Sequence, residues 1–237
     1  MNIALLTAAG SGSRMGQEVP KQFLHINDKP VIIYTMERFQ ESPLVDAIIV
    51  VTLSHWADFV WSYAKQFKIT KLKWVISGGS TGQESIRNGL MEVAKTCPPE
   101  ETTIMVHDGN RPMVDNDIIS DSLSVYKKHG SAVAVIPCTE AVFKSEDGEV
   151  SDESIPREML FRTQTPHTYR LSKLLWAHEE AVKRGIVNTA ASCSLMNQLG
   201  EKVHFSRGSE KNIKLTTIDD IDIFKALLRN EKSGWML

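Results

Sequence analysis

The sequence predicts an α/β fold in which a mostly parallel β-sheet carries helices on both faces. Short apolar runs that are typical of buried strands alternate with segments of helical periodicity, as in successive βαβ units. The rhythm then changes to a polar stretch with short strand-like pieces, which predicts a β-arm at about residues 138–163 that protrudes from the sheet. With 237 residues, 42% of them hydrophobic, the chain is large enough for a sizeable core, and we expect residues 1–237 to form one domain.

The predicted elements follow one another in a regular order. Strands are expected at residues 3–6, 47–51, 73–76, 103–107, 131–137 and 202–205. Helices are expected at residues 31–39, 57–67, 82–95, 118–128, between Ser172 and Gly185, at 190–199, and from Thr217 to Leu228. The side chains expected to cap helix starts are Thr81 with Glu84, Asn116 or Asp117, Ser172, and Thr217 with Asp220. The arm has a turn at Asp147-Gly148, and the tail at residues 230–237 is expected to be loose.

Composition excludes several classes of protein. A formal net charge of −2 argues against a general nucleic-acid binder, which is usually basic. The three cysteines, Cys97, Cys138 and Cys193, are scattered, so they suggest neither a disulfide framework nor a zinc site, and they fit a reducing cytoplasm. The chain opens directly on a strand rather than on a signal peptide, and its apolar runs are short of membrane-spanning length. We therefore expect a cytoplasmic protein with neither a nucleic acid nor a membrane as partner.

The stretch after the first strand predicts a phosphate-binding loop. Small residues and three glycines allow backbone N–H groups to approach an anion closely, and Arg14 and Lys21 add two fixed positive charges. The loop lacks the Gly-Lys-Ser/Thr ending of a Walker A motif and the third glycine of a dinucleotide fingerprint, and Pro20 interrupts any helix at that point. The residues expected to bind the nucleotide here are Ala8, Ala9, Gly10, Ser11, Gly12 and Ser13.

Two further motifs follow predicted strands and so belong at the same edge of the sheet, where ligands of open parallel sheets collect. The first, Gly78, Gly79 and Ser80 with Ser85, is either a pocket for a base and ribose or a structural turn followed by a helix cap. The second contains Asp108 and Arg111. The Asp108 carboxylate is a natural Mg²⁺ ligand and Arg111 a natural phosphate clamp, or the two side chains simply pair and fix the turn.

These motifs, taken in order, resemble the signature of the cytidylyltransferases that act on polyol phosphates, and the resemblance spans nearly the whole chain. It implies a Rossmann-like fold of the nucleotide-diphospho-sugar transferase type, a divalent cation such as Mg²⁺, and a homodimer formed through the β-arm. By resemblance, Arg14, Lys21 and Lys214 are the catalytic cations. The acceptor-binding residues that the resemblance implies are Asp108, Arg111, Arg157, Thr165 and Thr189, with Arg157 reaching the site of a partner subunit.

The sequence departs from that pattern at several positions, chiefly around the acceptor. Gly82 stands where the family usually has arginine, Asn110 replaces a small apolar residue, and His167 follows Thr165-Pro166 where glutamine is usual. The segment at residues 188–192 lacks the two acidic residues of the family. These differences favour ribitol 5-phosphate, or a similar alditol phosphate used for a surface polymer, as the acceptor. The alternative acceptor is 2-C-methyl-D-erythritol 4-phosphate of isoprenoid synthesis.

The reaction implied is the transfer of CMP from CTP to the acceptor, which gives a CDP-alditol and pyrophosphate. The nucleophile is an oxygen of the acceptor phosphate, which has a second pKa of about 6 and is largely a dianion at pH 7. Catalysis therefore requires positioning and charge neutralisation rather than a general base. A catalytically silent nucleotide-binding module, which would bind CTP without releasing pyrophosphate, is the alternative from another class.

Overall fold

The computed structural model of the protein describes residues 1–10 and 19–233, and within them the chain builds a seven-stranded sheet with helices on both faces. The elements, in chain order, are β1 (Asn2–Ala8), β2 (His25–Ile26), β3 (Lys29–Pro30), α1 (Val31–Glu41), β4 (Ala47–Thr52), α2 (Ala57–Gln66), β5 (Leu72–Ser77), α3 (Gly82–Ala94), β6 (Thr103–Asp108), α4 (Asn116–His129), β7 (Ser131–Pro137), β8 (Val142–Lys144), β9 (Glu153–Ile155), β10 (Phe161–Arg170), α5 (Leu171–Lys183), α6 (Ser192–Gln198), β11 (Phe205–Arg207) and α7 (Ile218–Ser233).

The large sheet has the strand order β11-β7-β10-β6-β1-β4-β5. Its pairs β6-β1, β1-β4, β4-β5 and β7-β11 are parallel, whereas β10 runs antiparallel to both of its neighbours. The prediction of a mostly parallel sheet is therefore confirmed. The strand predicted at residues 202–205 lies at Phe205–Arg207, three residues later at its start.

Alternation along the strands explains why helices cover both faces. Ile3 and Leu5 of β1 point into one apolar cluster together with residues of α3, α5 and α6. Ala4 and Leu6 point into the other cluster, which residues of α1, α2 and α4 complete. Because successive side chains of a strand face opposite sides, an uninterrupted apolar run needs a helix layer on each side to bury it. A third, smaller cluster packs α7 beside α1 through Phe224 and Val31.

Strand β10 is the largest element that the sequence did not predict. Its residues Phe161–Arg170 are mostly polar and include a proline, so they resemble the end of the arm rather than a central strand. Residues 164–169 are nevertheless buried, and tertiary partners satisfy some of their polar groups: Ser122 and Thr168 share a buried hydrogen bond of 2.7 Å. The register shifts between Thr163 and His167, around a cis Thr165–Pro166 peptide bond, so the proline lies where the ladder is interrupted.

Two helix starts are capped as predicted and two are not. The Thr81 hydroxyl accepts a hydrogen bond from the Glu84 N–H at 3.0 Å, and Thr217 caps α7 in the same way. Helix α4 is capped by Asp115, one residue before the predicted Asn116 or Asp117, because its carboxylate accepts the Ile118 N–H at 2.8 Å.

The start of helix α5 and the end of helix α7 also differ from the prediction. Helix α5 begins at Leu171, directly after β10, so that Ser172 already lies inside the helix and does not cap it. Helix α7 continues to Ser233 rather than ending at Leu228, so residues 230–233 are helical rather than loose. The predicted loose residues 234–237 lie outside the described part of the chain.

The predicted β-arm is present, but it ends before residue 163, because residues 161–163 already pair with β7 in the large sheet. Strands β8 and β9 form an antiparallel pair joined through the turn at Asp147-Gly148, where Gly148 has a φ of 79°. A short 3₁₀ turn at Arg157–Met159 then leads into β10. Among the residues described, no helix combines the length and the apolar character that crossing a membrane would require.

Candidate active site

A cleft of about 740 Å³ opens at the carboxyl ends of the central strands, as expected for an open parallel sheet. It collects residues that are far apart in the sequence, from the loop after β1 to the segment before α7. The predicted site residues that line it are Ala8, Ala9, Gly10, Lys21, Gly79, Ser80, Ser85, Asp108, Arg111, Thr165, Thr189 and Lys214.

The other predicted site residues divide into two groups. Ser11, Gly12, Ser13 and Arg14 lie outside the described residues. Gly78 and Arg157 are described but are not among the residues that line the cleft. Arg157 lies on the arm, where its guanidinium donates to the Thr139 carbonyl at 3.1 Å and faces Glu158 at 3.5 Å. A Cβ at Gly78 would lie only 2.5 Å from the Ala9 Cβ, so glycine here lets two strand ends approach closely.

Gln22 anchors the loop that follows β1. Its buried side-chain amide donates to the Ala8 carbonyl at 2.6 Å and to the Gly10 carbonyl at 3.0 Å. This amide therefore ties the segment that starts the loop to the segment that closes it, immediately beside Lys21. The preceding Pro20 starts the 3₁₀ turn Lys21–Phe23, which directs the chain into this arrangement.

The turn after β5 is organised by its own side chains. The Ser85 hydroxyl accepts the Gly79 N–H at 3.0 Å and donates to the Thr81 carbonyl at 2.8 Å. The Glu84 carboxylate accepts both the Ser80 N–H and the Ser80 hydroxyl, and the Ser80 hydrogen bonds lower the pKa of that carboxyl. The turn of the structural interpretation is thus present, and because Gly79, Ser80 and Ser85 also line the cleft, nucleotide binding at this motif stays a prediction.

Asp108 is the centre of a cluster of charges in the cleft. Its two carboxylate oxygens accept from the Arg111 guanidinium at 2.9 Å and from the Lys214 ammonium at 3.0 Å. Burial alone would raise the pKa of Asp108, but Lys214 and Arg111 hold it well below its ordinary value. Asp108 is therefore ionised at neutral pH, and one carboxylate holds two cations in place.

Beneath this cluster a buried histidine connects two strand ends. Burial lowers the pKa of His107 to about 4, so the ring is neutral at pH 7. Its Nε2 lies 3.1 Å from the Arg111 carbonyl, an acceptor, which assigns the proton to Nε2. Nδ1 then accepts from the Thr165 hydroxyl at 2.9 Å, and that hydroxyl accepts the Asp108 N–H at 3.1 Å. Thr165 thus uses its hydroxyl to join β10 to the end of β6.

Two asparagines hold the segment that carries Lys214 against the cluster. Asn110 and Leu215 exchange two hydrogen bonds, one from the Asn110 side-chain amide at 2.5 Å and one from the Leu215 N–H at 2.9 Å. Asn212 is fully buried and donates to the Thr165 carbonyl at 2.9 Å, while its own carbonyl accepts from Arg111 at 2.8 Å. These contacts explain how a lysine more than 100 residues away in sequence is placed beside Asp108.

On the opposite wall of the cleft, Gln83 holds a loop in place through hydrogen bonds to Ile186 and Thr189. Its side chain donates to the Ile186 carbonyl at 2.6 Å and accepts both the N–H and the hydroxyl of Thr189, at 2.9 and 3.0 Å. The loop that lacks the acidic residues of the resembling family is therefore fastened to α3 by one buried amide. Gly82, the position without the expected arginine, lines the cleft, and a Cβ there would meet no described atom within 4 Å.

Several residues of the site were not predicted from the sequence. Three of them, Gln22, Gln83 and Asn212, act through buried side-chain amides, and no local sequence motif predicts that these amides are buried. His178 also lines the cleft, as does His167, which the sequence had singled out as a departure from the family pattern around the acceptor, and burial lowers the pKa of each to about 4. The one usable signal was an unusual residue within a recognisable motif, as at Asn110 and His167.

The single carboxylate of Asp108 fits a metal ion that arrives with a substrate better than one held by the protein alone. Among the described residues no group of three histidine, cysteine or acidic side chains could enclose a metal. Mg²⁺ is commonly bound by one or two carboxylates together with substrate phosphates, and one carboxylate is what the cleft offers. Each of its oxygens already accepts a hydrogen bond from a cation, so a metal would either share the carboxylate with Lys214 and Arg111 or displace one of them.

A mostly parallel sheet whose carboxyl edge joins a small-residue loop to a cluster of cations defines an α/β nucleotide-binding protein. The chain belongs to the 2-C-methyl-D-erythritol 4-phosphate cytidylyltransferase (IspD) family, whose sequence model matches residues 2–230. A ribitol-5-phosphate cytidylyltransferase of Lacticaseibacillus paracasei is 42% identical over 234 residues, 98% of this chain and 100% of that protein. A 2-C-methyl-D-erythritol 4-phosphate cytidylyltransferase of Clostridium acetobutylicum is 38% identical over 231 residues, which cover 97% and 98% of the two chains.

Solved structures agree with this fold. The crystal structure of 4-diphosphocytidyl-2C-methyl-D-erythritol synthase from Anaerococcus prevotii superimposes with a TM-score of 0.82 at 21% sequence identity, over 96% of each chain. At this level of identity the likeness concerns the fold, and it confirms the predicted nucleotidyltransferase architecture.

Proposed function

We propose that the protein transfers the cytidylyl group of CTP to the phosphate of a polyol phosphate, and that ribitol 5-phosphate is the preferred acceptor. One observation carries the chemistry: Lys21 and Lys214, nearly 200 residues apart in sequence, line the same cleft as the Asp108–Arg111 pair. The acceptor is supported by the 42% identity to a protein named ribitol-5-phosphate cytidylyltransferase. The second candidate, 2-C-methyl-D-erythritol 4-phosphate, is supported by the 38% identical relative and by the family description.

The cations of the cleft suit a reaction between two anions. An oxygen of the acceptor phosphate attacks the α-phosphorus of CTP, the bond between the α-phosphorus and the bridging oxygen breaks, and pyrophosphate leaves with the electron pair. The acceptor phosphate has a second pKa of about 6, so it reacts as a dianion without a general base. Lys21, Lys214 and Arg14 lower the repulsion between the substrates and hold them in line. Arg111 is suited to a forked contact with a phosphate.

We propose that Mg²⁺ accompanies CTP and uses Asp108 as its protein ligand. The ion supplies charge neutralisation on the triphosphate. An Asp108→Asn variant keeps the shape of the side chain but removes its charge, so the Mg²⁺ concentration for half-maximal activity should rise at least about tenfold. The matched control is Asp58→Asn on α2, an acidic residue that does not line the cleft. An unchanged Mg²⁺ requirement would assign Asp108 to holding the cations alone.

We propose that two copies of the chain form a homodimer through the arm, in which Arg157 acts on the partner's acceptor. The arm exposes the apolar side chains of Phe143, Val150 and Met159, and Arg157 does not line the cleft of its own chain. Light scattering coupled to gel filtration measures the mass of the assembly. If Arg157 acts in trans, mixing inactive Arg157→Ala and Lys21→Ala subunits should restore about a quarter of the activity on statistical grounds. Absence of any restoration in mixed dimers would contradict a contribution in trans.

The scattered thiols and the nucleotide substrate are consistent with work in the cytoplasm, which we propose as the location. Cys97 and Cys193 are buried as free thiols, an arrangement typical of a reducing compartment. Fractionation of cells that express the tagged chain, with a cytoplasmic and a periplasmic marker, tests this location.

The experiment that tests the function is pyrophosphate release from CTP with each candidate acceptor in turn. We expect turnover with ribitol 5-phosphate at a kcat/KM at least about tenfold above that with 2-C-methyl-D-erythritol 4-phosphate. Lys21→Ala should lower turnover by about 10²–10⁴-fold with an unchanged unfolding temperature, because a lost positive charge weakens the transition state. Lys65→Ala, at an exposed lysine of α2, is the control. CTP binding without pyrophosphate release with any polyol phosphate would identify a silent binding module instead.

A further inference from the structure

His167 is a buried imidazole that the hydrogen-bond network of the cleft does not use. Its side chain is 2% exposed and lines the cleft. Within the described residues neither Nδ1 nor Nε2 has a hydrogen-bond partner. The backbone of Gln164 is close enough to favour the protonated ring, yet it is not placed for a well-formed hydrogen bond to either nitrogen.

A buried imidazole without hydrogen-bond partners destabilises the folded protein unless a ligand supplies the missing partner. A buried polar group without a partner loses its hydration and gains no replacement. An apolar side chain of similar volume would fit the same wall without this loss. Ligand-binding sites are where proteins keep such unpartnered polar groups, because the ligand supplies the missing hydrogen-bond partner when it binds.

The position of His167 along the sheet edge indicates which substrate it meets. In the order β10-β6-β1-β4-β5, strand β10 adjoins the strand that ends at Asp108 and lies four strand spacings from β5, about 19 Å at ~4.8 Å per strand. The Gly79-Ser80 turn, expected to bind the nucleotide, follows β5. His167 also senses the charges of Asp108 and Lys214. It therefore lies at the end of the cleft beyond the nucleotide loop, next to the cations expected to hold the acceptor phosphate.

The chemistry of the ring indicates which part of the acceptor it contacts. Burial lowers the pKa of His167 to about 4, so the ring is neutral and offers one donor and one acceptor nitrogen. A hydroxyl group is the complementary partner, since it too both donates and accepts. A phosphate group, which only accepts, is better served by the neighbouring cations.

We propose that His167 recognises a hydroxyl of the acceptor's polyol chain and thereby determines acceptor specificity. This inference rests on the proposed cytidylyltransferase function. It adds a substrate contact on β10, and it places the polyol chain of the acceptor in the cleft over the paired strands β6 and β10.

The test combines variants of the protein with acceptors that lack single hydroxyls. His167→Leu removes the polar ring at similar volume, His167→Gln keeps a donor group and an acceptor group, and His129→Gln changes an exposed histidine of α4 as the control. The acceptors are ribitol 5-phosphate and its monodeoxy analogues, assayed by pyrophosphate release at saturating CTP. If only 2-C-methyl-D-erythritol 4-phosphate supports turnover, its deoxy analogues replace them.

We expect His167→Leu to lower kcat/KM for the complete acceptor by about 5- to 50-fold and to leave KM for CTP within about twofold, because one hydrogen bond is lost. On one deoxy analogue the native protein should lose a similar factor and His167→Leu should lose nothing more, which identifies the partnered hydroxyl. His167→Gln should restore a large part of the activity. His129→Gln should behave as the native protein.

Thermal unfolding of the protein without substrates separates ligand recognition from a merely structural role, because the two predict opposite shifts of the unfolding temperature for His167→Leu. We expect His167→Leu to raise the unfolding temperature, since it removes an unpartnered buried polar group. A lower unfolding temperature together with equal losses on all acceptors would make His167 a packing residue and overturn the proposal. Unchanged kcat/KM in both variants would also overturn it. Failure of the native protein to release pyrophosphate with any polyol phosphate would instead overturn the proposed function itself, and this inference with it.

Discussion

The amide of Gln22 offers a sharp test of how the phosphate loop is held. It is the donor of two hydrogen bonds, to the carbonyls of Ala8 and Gly10, and it is 2% exposed. The substitution Gln22→Glu preserves the shape of the side chain and replaces the donor by a second acceptor. Two carbonyls then lose their donor, and a carboxyl group is buried against them.

The expected cost follows from these contacts. The two lost hydrogen bonds contribute about 1 kcal/mol each, and the desolvated carboxyl group adds about 1–3 kcal/mol more, which gives about 3–5 kcal/mol in total. For a chain of this length about 1 kcal/mol corresponds to roughly 2–4 °C in unfolding temperature, so the loss should be about 6–20 °C at pH 7.5. Because Lys21 adjoins Gln22, we expect kcat/KM for CTP to fall about 10- to 100-fold, as a small displacement of a binding group suffices for that.

The pH dependence of the loss separates a buried carboxyl from a simple packing defect. Burial raises the pKa of the introduced carboxyl in the folded state above its unfolded value of about 4.3, so the penalty is complete above the folded pKa and disappears as the pH falls below the unfolded value. The deficit in unfolding temperature should therefore shrink between pH 7.5 and pH 5. Gln22→Met should lose less, about 1–3 kcal/mol, with no such dependence.

Differential scanning fluorimetry across this pH range, followed by steady-state kinetics at varied CTP, measures both effects. Gln66→Glu, at an exposed position of α2, is the matched control and should change the free energy of unfolding by less than about 0.5 kcal/mol. If Gln22→Glu unfolds within about 2 °C of the native protein at pH 7.5, the amide does not anchor the loop and the reasoning is wrong.

Three further substitutions test the remaining parts of the cleft. Asn110→Ala should release the segment at Leu215 and lower the free energy of unfolding by about 1–3 kcal/mol in urea titrations; an unchanged midpoint would contradict that role. Thr165→Val should lower the unfolding temperature because it removes two hydrogen bonds around His107, whereas Thr165→Ser should not; a higher acceptor KM at native stability would instead favour direct acceptor binding. His178→Leu should gain roughly 2 kcal/mol in free energy of unfolding relative to the native protein as the pH falls from 7.5 to 5. Burial lowers the pKa of His178 to about 4, so in the native protein the unfolded chain takes up a proton before the folded chain does and folding is weakened. Equal stability changes at both pH values would refute this.

The sequence predicted those parts of the fold that depend on local pattern. The apolar runs of β1, β4, β6 and β7 report burial on two faces directly, and each was located to within about two residues, the uncertainty expected for element ends. Strand β10 was missed because its polar residues become buried only through partners on other elements. Burial of a polar residue depends on contacts that sequence periodicity does not contain.

The same distinction applies to the site. Asp108 and Arg111 were singled out as charged residues after a predicted strand, Lys21 as a cation of the glycine-containing loop, and Lys214 by the family resemblance, and the cleft brings all four together. The roles of Gln22, Gln83 and Asn212 were not predicted, since no sequence pattern distinguishes an exposed amide side chain from one that anchors a loop. Arg157 shows the opposite limit: its proposed role concerns a second chain.

The charges of the cleft suggest how the two substrates share it. Three cations, Lys21, Arg111 and Lys214, line it in the described part of the chain, and the Asp108 carboxylate cancels one of them. The buried histidines add no charge at neutral pH, because burial lowers their pKa values to about 4. The remaining net charge of about +2 is smaller than the combined negative charge of an acceptor phosphate dianion and the triphosphate of CTP. We therefore propose that the Mg²⁺ ion and Arg14 supply further positive charge for the nucleotide. Besides serving as the proposed ligand of that ion, Asp108 keeps Arg111 and Lys214 next to each other in the cleft.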